Sequence, residues 1–286
     1  MDNPLVENAD ILSYVAKFVD KFVFFALVSK GWRNAWGPRP TATRAVTAST
    51  SLLQLSQSFD GGLQPFAGVC EAAAKLGRLD LLQRARMLGC NKCPWDEGTC
   101  LAAARGGHLN VLQWARAQGC PWNEETCSEA ASGGYFVVLK WAWANGCEWD
   151  EGVCSAAASG GYLNILQWAR HEGCPWSAET CSGAAEGGHQ HVLEWARANG
   201  CPWDEDTCWG ASEWGHLDVL QWARANGCPW DSWTCSGAAR RAAGKGHLDV
   251  LQWARASGCP WEVGTCADAA GGGHFSVVKW ARANGC

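Results

Sequence analysis

The sequence predicts an all-α solenoid, a row of stacked helix-turn-helix repeats. The first observation is a 27-residue segment that begins at Cys93 and begins again at Cys120, Cys147, Cys174, Cys201, Cys228 and Cys259. The second is that each period holds two apolar patterns of helical spacing on either side of a glycine-rich break. A fixed period of this size is typical of repeat arrays, in which each unit buries its apolar face against its neighbours.

The first helix of a unit, helix A, is predicted to begin at Asp96, a good N-cap residue. Cys100, Ala103 and Ala104 then form a narrow apolar face, because they lie three and four residues apart. Gly106-Gly107 ends helix A. Helix B carries the wider apolar stripe of Leu109, Val111, Leu112, Trp114 and Ala115. Gly119 follows at the place of a left-handed C-terminal residue, and Pro121 comes next at the usual distance.

Three segments follow from these patterns. Residues 1–40 hold two apolar patches that two or three short helices would bury, so this segment is expected to form a helical cap. Residues 41–62 read as a worn linker or repeat, in which Leu52–Leu55 echoes the helix B stripe. Residues 63–286 are the predicted solenoid, with about eight units. Softened terminal units of this kind are expected where a solenoid ends.

Charge and composition narrow the function classes. The 286-residue chain has a net charge of −5, with acids and bases mixed along it, which argues against nucleic acid or an anionic membrane as the main partner. No apolar run reaches membrane-spanning length. The first ten residues, MDNPLVENAD, are acidic where a secretory signal would be basic. We therefore expect an intracellular protein of the cytoplasm, with the nucleus as the alternative.

The 17 cysteines follow the repeat. One opens each unit and another lies seven residues later, so we interpret them as small buried residues with reduced thiols. Disulfides and a metal site are the alternatives. Only Cys90 and Cys93 have CxxC spacing, and no second pair matches them as a zinc site would require. No metal and no cofactor are predicted.

The start of the chain resembles an F-box. The resemblance rests on Pro4, on Ile11-Leu12-Ser13-Tyr14, and on Ala26-Leu27-Val28-Ser29-Lys30 with Trp32-Arg33. In that family the segment docks on the adaptor subunit of a cullin-type ubiquitin ligase, so the resemblance implies the same partner for residues 1–40. Asn3 departs from the family pattern. The alternative is a cap that only covers the open end of the solenoid.

The repeat itself resembles the ankyrin repeat. Thr99–Ala104 lies where that family has Thr-Pro-Leu-His-Leu-Ala-Ala, and Gly107–Leu112 matches its Gly-His-Leu-Glu-Val-Val. The resemblance implies a concave groove, lined by helix A and its loop, that binds protein partners. In this chain Cys replaces the Pro, and the unit is about six residues shorter than the usual 33. The long hairpin loop is therefore expected to shrink to a Cys-Pro-Trp turn.

Three residue types recur through most of the units and are candidate site residues. The linker and helix B tryptophans are expected to pack between units, with a nucleic-acid stacking platform as the alternative. The arginine two residues after the helix B tryptophan is expected to be a solvated edge. The histidine before helix B gives way to Tyr135 and Tyr162, which acid–base catalysis would not allow. With no nucleophile elbow or phosphate loop either, we predict that the protein is not an enzyme.

Function is better sought where the units differ. The differences fall on helix A and the turn after it, at positions such as Ser128, Glu129 and Glu186. They concentrate near a four-residue insertion, Arg240-Arg241-Ala242-Ala243. Four residues add about one helical turn, so helix A can lengthen there. Tryptophan and arginine dominate binding hot spots, which makes a predicted partner-binding patch of Trp209, Trp214, Trp233, Arg240, Arg241 and Lys245.

Three functions remain open from the sequence. The first is a non-enzymatic scaffold that binds a protein partner through helix A and its loop. The second is an F-box-type substrate receptor of a cullin ubiquitin ligase. The third is a cysteine-based redox or metal sensor.

Overall fold

The computed structural model describes residues 69–87, 95–245, 247–260, 267 and 275–285. The predicted F-box-like segment 1–40 and the worn segment 41–62 lie outside these residues, as do Cys90 and Cys93. The chain divides into two compact units, Met1–Trp122 (unit 1) and Asn123–Cys286 (unit 2). All regular structure in the described ranges is α-helical, which confirms the predicted fold class.

The described part of unit 1 contains α1 (Val69–Lys75), α2 (Leu79–Met87), α3 (Glu97–Arg105) and α4 (Leu109–Ala117). Unit 2 contains α5 (Glu124–Ser132), α6 (Phe136–Ala144), α7 (Glu151–Ser159), α8 (Leu163–His171), α9 (Ala178–Glu186), α10 (Gln190–Ala198), α11 (Glu205–Trp214), α12 (Leu217–Ala225), α13 (Ser232–Lys245), α14 (Leu248–Ala256) and α15 (Phe275–Ala283). Helices A are odd-numbered from α1 to α13, and helices B are even-numbered. Helix α15 carries the helix B sequence pattern.

Successive helix pairs stack through their first helices. In unit 2, α5, α7, α9, α11 and α13 pack one on the next, and each of them also packs on its own helix B. In unit 1, α3 packs on α1 in the same way. Within the described ranges none of the helices is both long and apolar enough to cross a membrane. The repeating helix-turn-helix arrangement is therefore the one that the period predicted.

The core of each pair is narrow and made of small side chains. In α3, Cys100, Ala103 and Ala104 are fully buried, and in α4 so are Val111 and Leu112. Small residues let neighbouring helices approach closely, and the linker cysteines are buried with them. This confirms that the described cysteines are buried packing residues, and all of them are free thiols.

The turn between helices A and B depends on glycine for two reasons. Gly161 has a φ of 76°, a left-handed conformation that side chains disfavour. A Cβ atom placed on it would also lie 2.6 Å from the ring of His189 in the next repeat. At the other end of helix B, Gly173 has a φ of 86° but open space around its Cβ position. The first glycine therefore serves contact between repeats, whereas the second serves only the local turn.

The recurring histidines link consecutive pairs. His108 Nε2 lies 3.1 Å from the carbonyl oxygen of Lys75 at the end of α1. His216 Nε2 lies 3.0 Å from the carbonyl oxygen of Glu186 at the end of α9. The last carbonyls of a helix have no partner within it, so this histidine bonds one of them from the neighbouring repeat. The column is structural.

Linker thiols make a second repeated bond between neighbouring pairs. The Sγ of Cys147 lies 3.2 Å from the carbonyl oxygen of Asn123, and the Sγ of Cys174 lies 3.2 Å from that of Asp150. The same bond recurs at Cys120, Cys201, Cys228 and Cys259. Each such thiol donates back to the residue just before the preceding helix A. An S–H···O bond is weak. Because it recurs in successive repeats, it accounts for cysteine, a small side chain with a donor, at this linker position.

The tryptophan and arginine columns differ from the prediction. The linker and helix B tryptophans contact each other within one repeat, as in the edge-on pair of Trp203 and Trp222, whose centroids are 6.0 Å apart. Both rings are half-buried rather than core. The arginine is not a free solvated edge: Arg197 lies over the Trp203 ring at 4.0 Å and donates to the carbonyl of Cys201. It is this arginine that joins one repeat to the next.

Candidate partner-binding groove

A groove runs along the exposed face of helices A in unit 2. Its volume is about 590 Å³. It is lined by residues of α5, α7, α9 and α11: Ser128, Glu129, Ser132, Gly152, Ser155, Ala156, Ser159, Glu179, Ser182, Gly183, Glu186, Asp206 and Trp209. These residues share one helix face, because in each repeat they occupy positions three, four and seven residues apart.

Small residues keep the groove open and its helices close together. Gly183 of α9 is buried, and a Cβ atom on it would lie 3.1 Å from the carbonyl oxygen of Ser155 in α7. A Cβ on Gly210 of α11 would lie 2.7 Å from Cγ of Glu186. The glycines therefore set the distance between neighbouring helices, and the aliphatic stem of Glu186 rests on α11.

Serine hydroxyls on the groove wall present acceptors. Ser128 Oγ donates to the carbonyl of Glu125 at 3.0 Å, Ser155 Oγ to that of Gly152 at 3.2 Å, and Ser182 Oγ to that of Glu179 at 3.3 Å. A hydroxyl has one proton and two lone pairs. With the proton used inside the helix, what each oxygen can offer a ligand is acceptor capacity.

Carboxylates provide the charge of the groove. Glu129, Glu179, Glu186 and Asp206 line it, and no lysine, arginine or histidine is among its lining residues. The pKa of Asp206 is raised, first by burial and then by the negative charges of Asp204, Glu205 and Asp231. Negative charge has thus accumulated at the α11 end of the groove.

The structure places the six predicted patch residues on α11 and α13. Trp209 forms part of the groove wall, while Trp214 and Trp233 are 43% and 63% exposed. Arg240, Arg241 and Lys245 lie in the second half of α13, and their side chains fall outside the described part. Helix α13 has 14 residues, against nine or ten in helices A from α3 to α11, so the insertion does lengthen it.

The Trp209 ring lies against the next helix A. Its Cδ1 and Nε1 atoms would lie 3.1 Å from a Cβ atom on Gly237 of α13. Nearby, Ser212 replaces the alanine that other repeats have and donates from Oγ to the carbonyl of Thr234 at 2.6 Å. Trp209 is therefore a fixed wall of the groove, half-buried between α11 and α13.

Sequence reasoning identified part of this groove and missed the rest. Comparing the repeats singled out Ser128, Glu129, Glu186 and Trp209 as residues that vary at equivalent positions. It passed over Ser155, Ser159 and Ser182, since a serine on a helix surface carries no signal by itself. The signal that was available is the sign of the charge, because helices α5, α7, α9 and α11 contain acids and no bases.

An aromatic cluster on the helix B side was also missed. Trp143 takes the place of the recurring arginine and stacks on Trp149, with ring centroids 5.3 Å apart. Trp168 packs edge-on against both rings and against Phe136. The visible signal was the one exception in the arginine column. This cluster replaces an arginine–tryptophan contact by a tryptophan–tryptophan contact.

The described residues do not form a metal-binding site. No three His, Cys, Asp or Glu side chains come together there as metal ligands would. The alternating thiols occur as buried pairs, and the pKa of Cys127 is raised by its hydrogen bond with the Cys147 thiol and by burial. A protonated, buried thiol is a poor nucleophile and a poor ligand.

Tandem helix pairs with a groove along their first helices define a helical repeat protein. No protein-family model matches the chain, and no curated protein matches it. Among solved structures, the chain is similar to the crystal structure of the human ASB11 ankyrin repeat domain. That similarity has 18% sequence identity and a TM-score of 0.43, and it covers 56% of this chain and 84% of that one. The repeat architecture rests on the helix packing described above.

Proposed function

We propose that this protein is a non-enzymatic scaffold that binds a protein partner through the groove on helices A. The observation that supports the proposal is that the recurring residues of the repeat pack between helices, whereas a different set of residues lines the groove. Constant residues such as Cys154, His189 and Arg197 are used in packing between helices and repeats. The groove of about 590 Å³ is lined mainly at positions that differ between repeats, as at Glu129, Ala156 and Gly183, together with a serine that recurs at 128, 155 and 182.

The predicted patch extends this surface. Trp209 belongs to the groove wall, and Trp214 and Trp233 expose large apolar rings on neighbouring helices. Tryptophan is enriched among the residues that dominate binding energy at interfaces. We propose that Trp209, Trp214, Trp233, Arg240, Arg241 and Lys245 contribute to the same interface, inside the cell.

The experiment compares partner capture by three versions of the full chain. The first is the wild type, the second carries Trp209→Ser and Trp233→Ser, and the third carries Gln167→Ala and Glu194→Ala on the exposed helix B surface. Partners that bind the groove should be recovered by the wild type and the helix B variant, and lost with the tryptophan variant. Equal recovery by all three versions would refute the groove as the binding surface. Circular dichroism and thermal melting check that each variant is folded.

A second candidate rests on the F-box-like residues of the N-terminal segment. The pattern of Ala26-Leu27-Val28-Ser29-Lys30 with Trp32-Arg33 favours a contact with the adaptor subunit of a cullin ubiquitin ligase. In this version, the groove would hold the substrate of the ligase. Capture by the full chain is compared with capture by a chain that lacks residues 1–40. If ligase adaptors are never recovered with the full chain, this candidate fails.

A further inference from the structure

We infer that the groove takes a cationic segment of its partner, an extended peptide in which lysine or arginine residues meet the carboxylates of α5, α9 and α11. This inference rests on the proposed function and specifies the chemistry of the partner. Three observations on the groove lead to it: the sign of its charge, the hydrogen-bonding character of its wall, and its aromatic end.

The first observation is that helices A of four consecutive repeats, from α5 to α11, carry acids and no bases, whereas the flanking helix α13 carries Arg240, Arg241 and Lys245. Helices α5, α7, α9 and α11 carry nine carboxylates and no cation. The cations of α6, α8, α10 and α12 are held on the other side: Lys140 lies over the Phe136 ring, and Arg170, Arg197 and Arg224 lie over linker tryptophans. The helix A face therefore has a negative potential that attracts cations.

Two of these acids stand where helix stability does not favour them. Glu186 is the last residue of α9, and Glu129 lies in the second half of α5. A carboxylate near a helix C-terminus is disfavoured by roughly 0.3–1 kcal/mol through the helix dipole. In contrast, Glu124 and Glu125 in the first turn of α5 and Glu205 in that of α11 lie where the helix dipole favours a carboxylate. Glu129 and Glu186 both line the groove, where they add to its negative charge.

The second observation is that the polar groups of the groove wall are mainly hydrogen-bond acceptors, so they favour a ligand that donates. Its four carboxylates accept hydrogen bonds only, and three of its five serines, Ser128, Ser155 and Ser182, have already used their protons inside the helix. A guanidinium group offers five N–H donors and an ammonium group three. A phosphate or an acidic peptide would bring more acceptors and more negative charge, so the wall disfavours both.

The third observation is the aromatic end of the groove. Trp209 is half-buried, is held against Gly237, and stands in the same wall as Asp206. An arginine there can lie over an indole ring while it bonds a carboxylate, and the cation–π part contributes roughly 0.5–2 kcal/mol. The chain already uses this arginine–tryptophan geometry in its own linkers.

The spacing of the acids sets the spacing of the cations. Neighbouring packed helices lie about 8–10 Å apart, and an extended peptide rises about 3.3 Å per residue. Asp206 lies in the first turn of α11 and Glu186 at the end of α9, so they are offset by seven positions, about 10 Å along the stacked helices, as well as by one helix spacing. They are therefore about 14 Å apart, or about four extended peptide residues. Glu129 of α5 is two helices beyond Glu186, or about five to six residues. The best segment therefore has cations separated by about four and about five to six residues.

The test uses labelled synthetic peptides and the full chain. The probe is a Gly/Ser-based 12-residue peptide with three arginines at the spacing given above. Two matched peptides carry glutamine or glutamate in place of arginine. In fluorescence anisotropy the arginine peptide should bind, should weaken as salt is raised because the contacts are ionic, and should outbind both matched peptides. Comparable binding of the arginine and glutamine peptides would overturn the inference, and so would binding by none of the three.

Two triple variants separate the groove from general electrostatics. The groove variant is Glu129→Gln, Glu186→Gln and Asp206→Asn. The control variant is Glu148→Gln, Glu194→Gln and Asp218→Asn, which changes the net charge equally at exposed positions outside the groove. We expect the groove variant to weaken binding of the arginine peptide at least tenfold, and the control variant less than threefold. Equal weakening in both variants would mean nonspecific attraction and would refute the inference.

The outcome also distinguishes this inference from the proposed function. If partner capture depends on Trp209 and Trp233 while the arginine peptide does not bind, the scaffold function stands and the cationic partner is wrong. If the arginine peptide binds the groove while partner capture ignores it, the proposed function fails. The substituted groove side chains are half-buried or exposed and are replaced by amides of nearly the same shape, and circular dichroism checks that the variants fold.

Discussion

The guanidinium carbon of Arg197 lies 4.0 Å from the centroid of the Trp203 ring, although the two residues belong to different repeats. The same group donates to the carbonyl of Cys201, so one side chain covers an aromatic ring and bonds the linker that follows its own helix. The contact recurs with Arg116, Arg170 and Arg224. This arginine–tryptophan contact therefore stabilises the packing of one repeat on the next.

Replacing Arg197 tests the strength of this hold. Arg197→Ala removes a charge-assisted hydrogen bond and a cation–π contact, so we expect a loss of roughly 1–3 kcal/mol in the free energy of unfolding. Arg197→Lys keeps the charge but loses the planar guanidinium group. Its free energy of unfolding should therefore lie between those of the wild type and the Ala variant. Urea denaturation followed by circular dichroism measures both. An Ala variant as stable as the wild type would restore the interpretation of a solvated edge.

Trp143 offers the reverse exchange. Trp143→Arg restores the residue that most repeats have and substitutes a cation–π contact for the stack on Trp149. We expect a change in stability within about 1 kcal/mol, because the two contacts are of similar size. Trp143→Ala loses the stack with no replacement and should cost about 1–3 kcal/mol. If Trp143→Arg is as damaging as Trp143→Ala, the two contacts are not interchangeable.

A pair of glycines separates turn geometry from contact between repeats. Gly173→Ala places a Cβ in open space, so it should cost only the left-handed conformation, roughly 1–2 kcal/mol. Gly161→Ala carries the same conformational cost and also drives a Cβ into the His189 ring at 2.6 Å. We expect the second variant to be clearly less stable in thermal melts. Equal losses would show that the histidine moves aside freely.

Thiol labelling tests the sensor hypothesis. Burial raises the pKa of Cys70 to about 11, and the hydrogen bond with Cys228, together with burial, raises that of Cys208. Hydrogen bonding from Cys181 lowers the pKa of Cys201, but Cys201 is fully buried. We therefore expect slow alkylation of these thiols in the native protein and fast alkylation in denaturant, mapped by mass spectrometry. Fast native labelling of several of them would favour a redox or metal sensor.

We expect the substitution of Asp206 by Asn to have opposite effects on folding stability and on binding of the arginine peptide. Its pKa is raised in the folded chain, by burial and by neighbouring acids, so the folded form binds more protons than the unfolded form. The carboxyl therefore favours folding below its unfolded pKa of about 3.9, and that contribution is lost as the pH rises through the folded pKa. Asp206→Asn should raise the melting temperature at pH 7 but not at pH 3, while weakening binding of the arginine peptide. A lower melting temperature at pH 7 would contradict this account.

Most of the fold was predictable because the same sequence pattern occurs in successive repeats. The 27-residue period, the glycine at the end of each helix and the small apolar face of helix A all follow from local rules that each repeat applies again. The contacts of long side chains did not follow. Arg197 looks like a surface residue in its own helix, and only the relative placement of two repeats brings Trp203 under it.

The groove was predictable in position but not in character. Variation among repeats led to Glu129, Glu186 and Trp209, all of which line it. The direction of the serine hydroxyls depends on the i−3 carbonyls of helices that must first be formed, as with Ser155 and Gly152. The charge segregation could have been read from the sequence, but its meaning depends on knowing that the helix B arginines are held elsewhere.

The bonds between repeats give the array a direction. Most repeats send an arginine forward onto the next linker tryptophan, and a thiol and a histidine back to carbonyls of the preceding repeat, as Arg197, Cys201 and His216 do. Cutting the array after a repeat would leave carbonyls without their donors, whereas cutting before a repeat would leave donors without acceptors and a tryptophan without its cation. The two ends therefore need chemically opposite closing partners, and a cap suited to one end would not serve the other.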